Sequence, residues 1–355
     1  MSEKTKELDE QNKLLKPAHY IYGSLFFIIL SLTTIFILYK NFKVIDWDTL
    51  RIFVNAEHLG SLLIFLFIFF HLDGLRLYFV LRTLKYKIRY KDLIKLVFIN
   101  IFVSESTPLS TGGGLAQVFF LNKINIPLGI SSAATLIRTV LTTFTVFFSV
   151  PIILFTEKSL DKISTFSNIL HYSLLLIIAY FIFFYFVAVR IELLSLVVNK
   201  LLFFLRDKHI IKEVKFEKYS EKINKELASF SHCIKNFFNG EKKFIFLTII
   251  STILYVIAML MTTVILLHFM GYHLSVLTLF SVQLLVIFVM YFTPTPGASG
   301  VAEFGFAAIL ANYIKETDVV VLTFMWRFLT IYLGMIIGLI IFLREIFKGK
   351  KKETK

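Results

Sequence analysis

Long apolar stretches recur along the sequence, and their length constrains the fold more than any other feature. Six of them run for about 20 residues or more, which is the length that an α-helix needs to cross a bilayer. Because 57% of the 355 residues are hydrophobic and only 17% are charged, a soluble fold is excluded. The sequence predicts an all-α, polytopic membrane protein with full spans at Ala18–Tyr39, Leu59–Leu81, Leu128–Phe155, Ile169–Val189, Phe244–Phe269 and Val319–Leu343.

Two further apolar stretches, Leu93–Thr107 and Ser275–Phe292, each run into a segment rich in proline and glycine. If both are re-entrant hairpins that enter and leave on one side, the basic segments between the predicted spans all lie on the side of the N-terminus. The positive-inside rule then places both termini in the cytoplasm. We expect a multi-pass protein of the cell membrane.

The predicted spans and basic segments divide the chain into two membrane halves. The basic segment between the halves has apolar residues at helical spacing, which indicates a helix on the anionic leaflet or a docking site for a soluble partner. The predicted parts are a cytoplasmic segment 1–17, a first half 18–189 with a re-entrant motif at 107–122, the basic segment 190–243, a second half 244–345 with a re-entrant motif at 293–313, and a basic tail 346–355.

Cofactor and nucleic-acid sites are not predicted. The single cysteine, Cys233, has no disulfide partner, and the eight histidines show no spacing suited to a metal. The net charge of +14 fits the cytoplasmic loops of a membrane protein, so we do not interpret it as a nucleic-acid surface.

Residues 107–120 and 293–306 resemble each other without a gap. They are identical at five positions, and Gln117 aligns with Glu303. Three of the six prolines lie in these two segments, which apolar low complexity does not explain. We interpret the pair as an internal repeat. Since the predicted topology brings the two motifs in from opposite faces, the halves would form an inverted repeat, as in many transporters.

The prolines and glycines of the two motifs should interrupt helices. Pro108, Pro294 and Pro296 lack a backbone donor, and short helices should begin near Gly113 and Ser299, with bare N–H groups directed into a polar cavity. Helix ends of this kind bind phosphate or carboxylate, although the breaks could also serve packing alone. The candidate ligands of an anionic head group in the motifs are Thr107, Thr111, Gly112, Gly113, Gly114, Gln117, Thr293, Thr295, Gly297, Ser299, Gly300 and Glu303.

Four ionisable side chains lie well inside the predicted spans. An arginine at the bilayer centre costs about 2.5–3.5 kcal/mol, so these side chains need partners or water. Asp73 and Arg76 are three residues apart on a helix and could form an ion pair, structural or functional. Arg138 and Arg327 each follow one motif in the next span. Glu303 is the predicted partner of one arginine, and the other would bind an anion unless backbone carbonyls satisfy both.

The sequence resembles the lysylphosphatidylglycerol synthase transmembrane family, also called flippase-like membrane proteins. The resemblance runs from about Leu59 to Leu343 and implies lipid handling, not synthesis, because we expect no fused transferase domain. Gln117 stands where some branches have glutamate. The residues that carry the resemblance are Thr107-Pro108, Thr111-Gly112-Gly113, Gln117-Val118-Phe119-Phe120-Leu121, Arg138, Pro294-Thr295-Pro296-Gly297, Gly300, Glu303, Arg327, Tyr332 and Gly334.

The leading hypothesis is a lipid flippase or transporter in which Arg138 and Arg327 hold a phosphate-bearing head group. Two alternatives remain open. One is a membrane enzyme that acts on a lipid-linked substrate with Glu303 as base or nucleophile, since burial can raise the pKa of an acid enough for proton transfer. The other is a secondary transporter of a small soluble anion, for which the same groups would serve.

Overall fold

The computed structural model describes residues 47–156 and 232–353, together with isolated positions within 25–29 and 175–228. All regular structure in these residues is helical. The α-helices with defined ends are α1 (Trp47–Val54), α2 (Ala56–Thr83), α3 (Tyr90–Glu105), α4 (Gly112–Lys123), α5 (Leu128–Thr156), α6 (Lys242–Phe269), α7 (Val276–Met290), α8 (Val301–Leu310), α9 (Glu316–Arg327) and α10 (Leu333–Glu353). Short 3-10 turns at Pro108–Ser110 and Pro296–Ala298 precede α4 and α8, and a π-helical turn at Phe328–Tyr332 joins α9 to α10.

Four helical segments in the described ranges are long and apolar enough to cross a bilayer: α2, the α5 segment Leu128–Ile152, α6, and the continuous segment Glu316–Ile346. They coincide with four of the six predicted spans. The spans predicted at Ala18–Tyr39 and Ile169–Val189, the segment 1–17 and most of 190–243 lie outside the described residues. The prediction of an all-helical membrane protein is therefore confirmed for the part of the chain that the structure describes.

Helices α2 and α6 pack side by side and run antiparallel. His58 near the start of α2 stacks on Phe269 at the end of α6, with ring centroids 4.1 Å apart. Further along, the Phe69 and Tyr255 rings stack at 5.2 Å, and the Arg82 guanidinium lies 5.1 Å from the centre of the Phe244 ring. This pair is one of the most extensive helix–helix contacts among the described residues.

The order and lengths of the helices recur along the chain. An offset of 186 residues, which carries Thr107 onto Thr293, also carries α2 onto α6 end to end and α3 closely onto α7. The short helices α4 and α8 follow the breaks, and the long helix α5 corresponds to α9 with α10. The contacts between helices recur as well. Helix α3 packs on α10, and its equivalent α7 packs on α5, which is the equivalent of α9 and α10.

Both breaks have the same local backbone conformation. After Pro108, Leu109 and Ser110 have φ of 54° and 53°, and after Pro296, Gly297 and Ala298 have φ of 57° and 51°. Left-handed conformations are uncommon for residues other than glycine, so the surrounding packing must impose them. The structure thus equates Pro108 with Pro296, whereas the ungapped sequence match equated it with Pro294. The two turns also contact each other, which brings the breaks together inside the protein.

The last turns of the basic segment are described and are helical. Within residues 232–238, Cys233, Ile234 and Phe237 are buried in the apolar cluster that includes Leu81 and Leu84 of the α2 end. These turns therefore pack on protein. Whether the remainder lies on the leaflet or binds a soluble partner stays a prediction, since those residues are outside the described ones.

Candidate functional site

A central cavity lies between the two breaks. It consists of two adjoining pockets of about 360 and 250 Å³, and both are lined by Asn100, Ser104, Glu105, Arg138 and Tyr255. The 3-10 turns form part of the wall, and the six helices α2 to α7, α9 and the π-helical turn supply most of the rest. Both breaks line this cavity, and irregular backbone within a membrane is tolerated where it lines such a space.

Three charged side chains from α2 and α5 form one cluster on the cavity wall. Asp73 and Arg76 lie one turn apart on α2, and an Asp73 carboxylate oxygen accepts hydrogen bonds from Arg76 Nη1 at 2.8 Å and Arg138 Nη2 at 2.6 Å. Arg76 also donates to the Thr142 hydroxyl, and its guanidinium lies 4.1 Å from the centre of the Tyr255 ring. All three charged side chains are buried.

A second ion pair joins the break before α8 to the end of α9. Arg327 Nε donates to a Glu303 oxygen at 2.9 Å, and Arg327 Nη2 donates to the Gly297 carbonyl at 3.1 Å. The other Glu303 oxygen accepts the Gly300 N–H at 2.7 Å, which caps the start of α8. Both charged side chains are 0% exposed. With its two oxygens engaged in this way, Glu303 is poorly placed to serve as a catalytic base.

The expectation that one of the two arginines stays unpaired was wrong. Glu303 pairs with Arg327 as predicted, but Arg138 pairs with Asp73, which lies 65 residues away in sequence. Asp73 thereby shares a single charge between two guanidiniums, so this cluster has one excess positive charge. The Nε groups of Arg76 and Arg138 and Nη1 of Arg327 are buried and make no hydrogen bond within the described residues. Donors without partners in a cavity wall can receive an anion.

The glycines of the first motif allow close packing next to the cavity. A Cβ at Gly113 would lie 1.9 Å from the Ser104 hydroxyl oxygen, and one at Gly112 would lie 2.6 Å from the Thr107 methyl carbon. Gly114 lines the larger pocket. Helix α4 begins at Gly112, one residue before the predicted start.

The two threonines of the first motif bond to backbone groups of the motif and of the α3 end. The Thr107 hydroxyl donates to the Val103 carbonyl and accepts the Gly112 N–H, both at 2.9 Å, and the Thr111 hydroxyl donates to the Pro108 carbonyl. These contacts hold the break in shape. The structure places neither Thr107 nor Thr111 in the cavity wall.

The second motif supplies fewer cavity residues than predicted. Thr293 and Gly297 line the larger pocket, and the Thr295 hydroxyl donates to the Ser299 carbonyl at 2.9 Å. Ser299 is buried, and Gly300 adopts φ of 90° at the N-cap of α8. Helix α8 therefore begins at Val301, two residues after the predicted start.

Gln117 lies on α4 and its side chain is buried, but it lines neither of the two pockets. Its side-chain nitrogen and oxygen have no hydrogen-bond partner among the described residues. The sequence aligned it with Glu303, but no arginine pairs with it. A direct role in a cavity site is not supported by its position.

Sequence reasoning missed several polar residues of the cavity wall. Asn100, Ser104 and Glu105 lie on the last turns of α3, while Tyr255 and Tyr291 come from α6 and the end of α7. Glu105 carried a usable signal, since an acidic residue directly before a Thr-Pro break in an apolar stretch needs an explanation. Nothing in the sequence distinguished the two tyrosines as cavity residues, because aromatic residues are common throughout the sequence.

The chemistry of the cavity is that of charge recognition. The described residues include no group of three or more histidine, cysteine, aspartate or glutamate side chains that could hold a metal ion. The cavity instead combines guanidinium donors, hydroxyls, the amides of Asn100 and Gln283, and the carboxyl groups of Asp73 and Glu105. Such a set suits a phosphate or carboxylate ligand.

The sequence of the chain matches the family described as the lysylphosphatidylglycerol synthase TM region over residues 19–338. The chain belongs to this family. The resemblance predicted from the two motifs and the buried arginines is therefore confirmed. A UPF0104 membrane protein from Archaeoglobus fulgidus is similar to this member of the family, with 24% identity over 288 residues, covering 79% of this chain and 84% of the relative. No solved structure matches the chain.

Proposed function

We propose that the protein moves an anionic, phosphate-bearing lipid or lipid-linked head group across the cell membrane through the central cavity. The observation that carries the proposal is the cluster of Arg76 and Arg138 around the single carboxylate of Asp73 on the cavity wall. A cation pair that shares one counter-ion attracts an anion, and guanidinium groups match phosphate geometry. Membership of the lysylphosphatidylglycerol synthase TM region family supports a lipid-related role.

A lipid suits the mouth of the cavity better than a soluble anion. Leu109 and Tyr291 line the larger pocket and are exposed, at 54% and 38%. Phe292, next to Tyr291, is also exposed. Because apolar side chains at an opening favour contact with acyl chains, a head group could enter the cavity while its chains stay in the bilayer.

An inverted repeat would give the transporter its two-sided access. The equivalent helices α2 and α6 run antiparallel, and their equivalent residues Phe69 and Tyr255 stack on each other. This supports a two-fold axis in the membrane plane that relates the two halves. Rocking one half against the other would then open the cavity to each leaflet in turn. Cytoplasmic termini remain the orientation expected from the basic segments.

Replacing Arg138 by alanine should slow lipid transport at least tenfold. The substitution removes charge-assisted hydrogen bonds to the head group, worth roughly 1.5–3 kcal/mol each. The measurement is the movement of a fluorescent anionic phospholipid in reconstituted vesicles, read by dithionite quenching of the outer leaflet. Arg89→Ala is the matched control, because the Arg89 side chain is 85% exposed and pairs with Asp92 outside the cavity.

Two results would contradict the proposal. One is transport by the Arg138→Ala protein at the rate of the unmodified protein. The other is uptake of radiolabelled inorganic phosphate by the same vesicles with no movement of lipid, which would indicate a soluble-anion transporter.

A further inference from the structure

A carboxylate with no partner lies on the cavity wall. Glu105 is the last residue of α3, and its side chain lines both pockets. It makes no hydrogen bond and no ion pair with any residue that the structure describes. Its side chain is only partly exposed. Holding an ionised carboxylate in such a place without a partner is costly, whereas the protonated acid is neutral.

The charged neighbours of Glu105 do not provide it with a partner. The charges of Arg327 and Glu303 act on Glu105 in opposite directions, and these two side chains bind each other at 2.9 Å. Arg76 and Arg138 face the same cavity, but both bind Asp73.

The remaining elements around Glu105 add few ionisable groups. Helices α6 and α7 contribute the phenols of Tyr255 and Tyr291. Helix α4 has no ionisable side chain before Lys123, and α10 has none before Arg344. In the part of the chain that the structure describes, Glu105 is therefore the carboxyl of the cavity wall that a proton can reach without breaking an ion pair.

We propose that Glu105 is a proton-binding group of the cavity, ionised when the cavity is empty and protonated when an anionic head group is bound. The inference rests on the proposed function and adds a proton to it. The excess positive charge of the cluster formed by Asp73, Arg76 and Arg138 is cancelled when Glu105 is ionised. Protonation restores that charge, so the anion and the proton favour each other's binding.

The coupling requires a single proton transfer. The carboxylate of Glu105 takes one proton from water as the negatively charged head group enters, and it releases the proton as the head group leaves. No other bond forms or breaks. If the cavity opens to each leaflet in turn, the anion and the proton cross together, and a proton gradient would drive the anion.

Calorimetry with a short-chain phosphatidylglycerol tests the coupling, because this lipid keeps its charge across the pH range used. The unmodified protein, held in nanodiscs of neutral lipid, should take up close to one proton per lipid bound, measured from binding heats in two buffers of different ionisation enthalpy. Its affinity should fall on the order of a hundredfold between about pH 5.5 and pH 8.5, because uptake of close to one proton near pH 7 requires a coupling of that size and because the lipid and an ionised Glu105 repel each other.

Glu105→Gln should bind without proton uptake and keep the low-pH affinity throughout, because glutamine mimics the neutral acid. Glu57→Gln, at an exposed position in the first turn of α2, should behave as the unmodified protein. Binding by the unmodified protein with no proton uptake, or proton uptake that persists in Glu105→Gln, would overturn the inference and leave the proposed function intact. Absence of binding by the unmodified protein, or full binding by Arg138→Ala, would instead overturn the proposed function and this inference with it.

Discussion

Replacing Glu303 by glutamine should destabilise the protein by about 3–5 kcal/mol, the cost of leaving one partner of a buried ion pair alone. Arg327 is 0% exposed, and Glu303 is its only carboxylate at ion-pair distance among the described residues. Glutamine can still accept the Gly300 N–H, so the effect isolates the lost charge. The measurement is the free energy of unfolding in mixed micelles with an increasing fraction of SDS.

Two further variants make this prediction specific. The double variant Glu303→Gln with Arg327→Met should regain most of the lost stability, because no unpaired charge remains buried. Glu345→Gln is the matched control, since Glu345 pairs with Lys95 at 2.8 Å where both side chains are partly exposed, and such pairs contribute about 1 kcal/mol or less. If Glu303→Gln and Glu345→Gln lose the same stability, the buried pair does not hold α8 against α9.

Replacing Asp73 by asparagine should have a similar cost, about 3–5 kcal/mol, because two buried guanidiniums lose their common carboxylate and repel each other. In contrast to Glu303→Gln, this loss should be largely reversed by an anionic lipid, which can take the place of the carboxylate. A ligand that binds only the folded state stabilises it. The measurement is the same unfolding experiment with and without short-chain phosphatidylglycerol.

The control for Asp73 is Asp92→Asn. Asp92 pairs with Arg89 at 2.7 Å and with Lys95 at 3.6 Å, and because both cations reach solvent, with side chains 85% and 37% exposed, its loss should cost less than that of Asp73 and should not respond to anionic lipid. A stability of Asp73→Asn that stays low at all lipid concentrations would mean that the arginine cluster is structural only.

The sequence predicted the helices and their breaks well because local chemistry decides both. Apolar length marked the four spans that the structure describes, and α3 and α7 end at Glu105 and Met290, shortly before Pro108 and Pro294 as predicted, because proline cannot donate a backbone hydrogen bond. The exact register of the breaks was less predictable. An ungapped match paired Pro108 with Pro294, but the turn conformation that follows each proline depends on how the two breaks pack against each other.

Some partners of the buried charges could be predicted from local spacing, and others depend on how separate helices pack. Asp73 and Arg76 share a helical turn, so their proximity followed from spacing alone. The contact between Asp73 and Arg138 joins two different helices and depends on how α2 and α5 pack, which no local pattern records. Glu105 was missed because it lies at the end of an apolar stretch. Its place in the cavity wall becomes visible only once tertiary packing forms the cavity beside it.

Photolabelling with an anionic phospholipid that carries a diazirine in its head group tests most directly whether the central cavity is the lipid site. After irradiation in nanodiscs and digestion, mass spectrometry should find the label on the peptides that line the cavity, within residues 100–114 and 283–298. The Arg138→Ala protein should lose most of this label. Label confined to the outer apolar surface of α1, α2 and α9, or equal labelling of the cavity in the two proteins, would contradict the account.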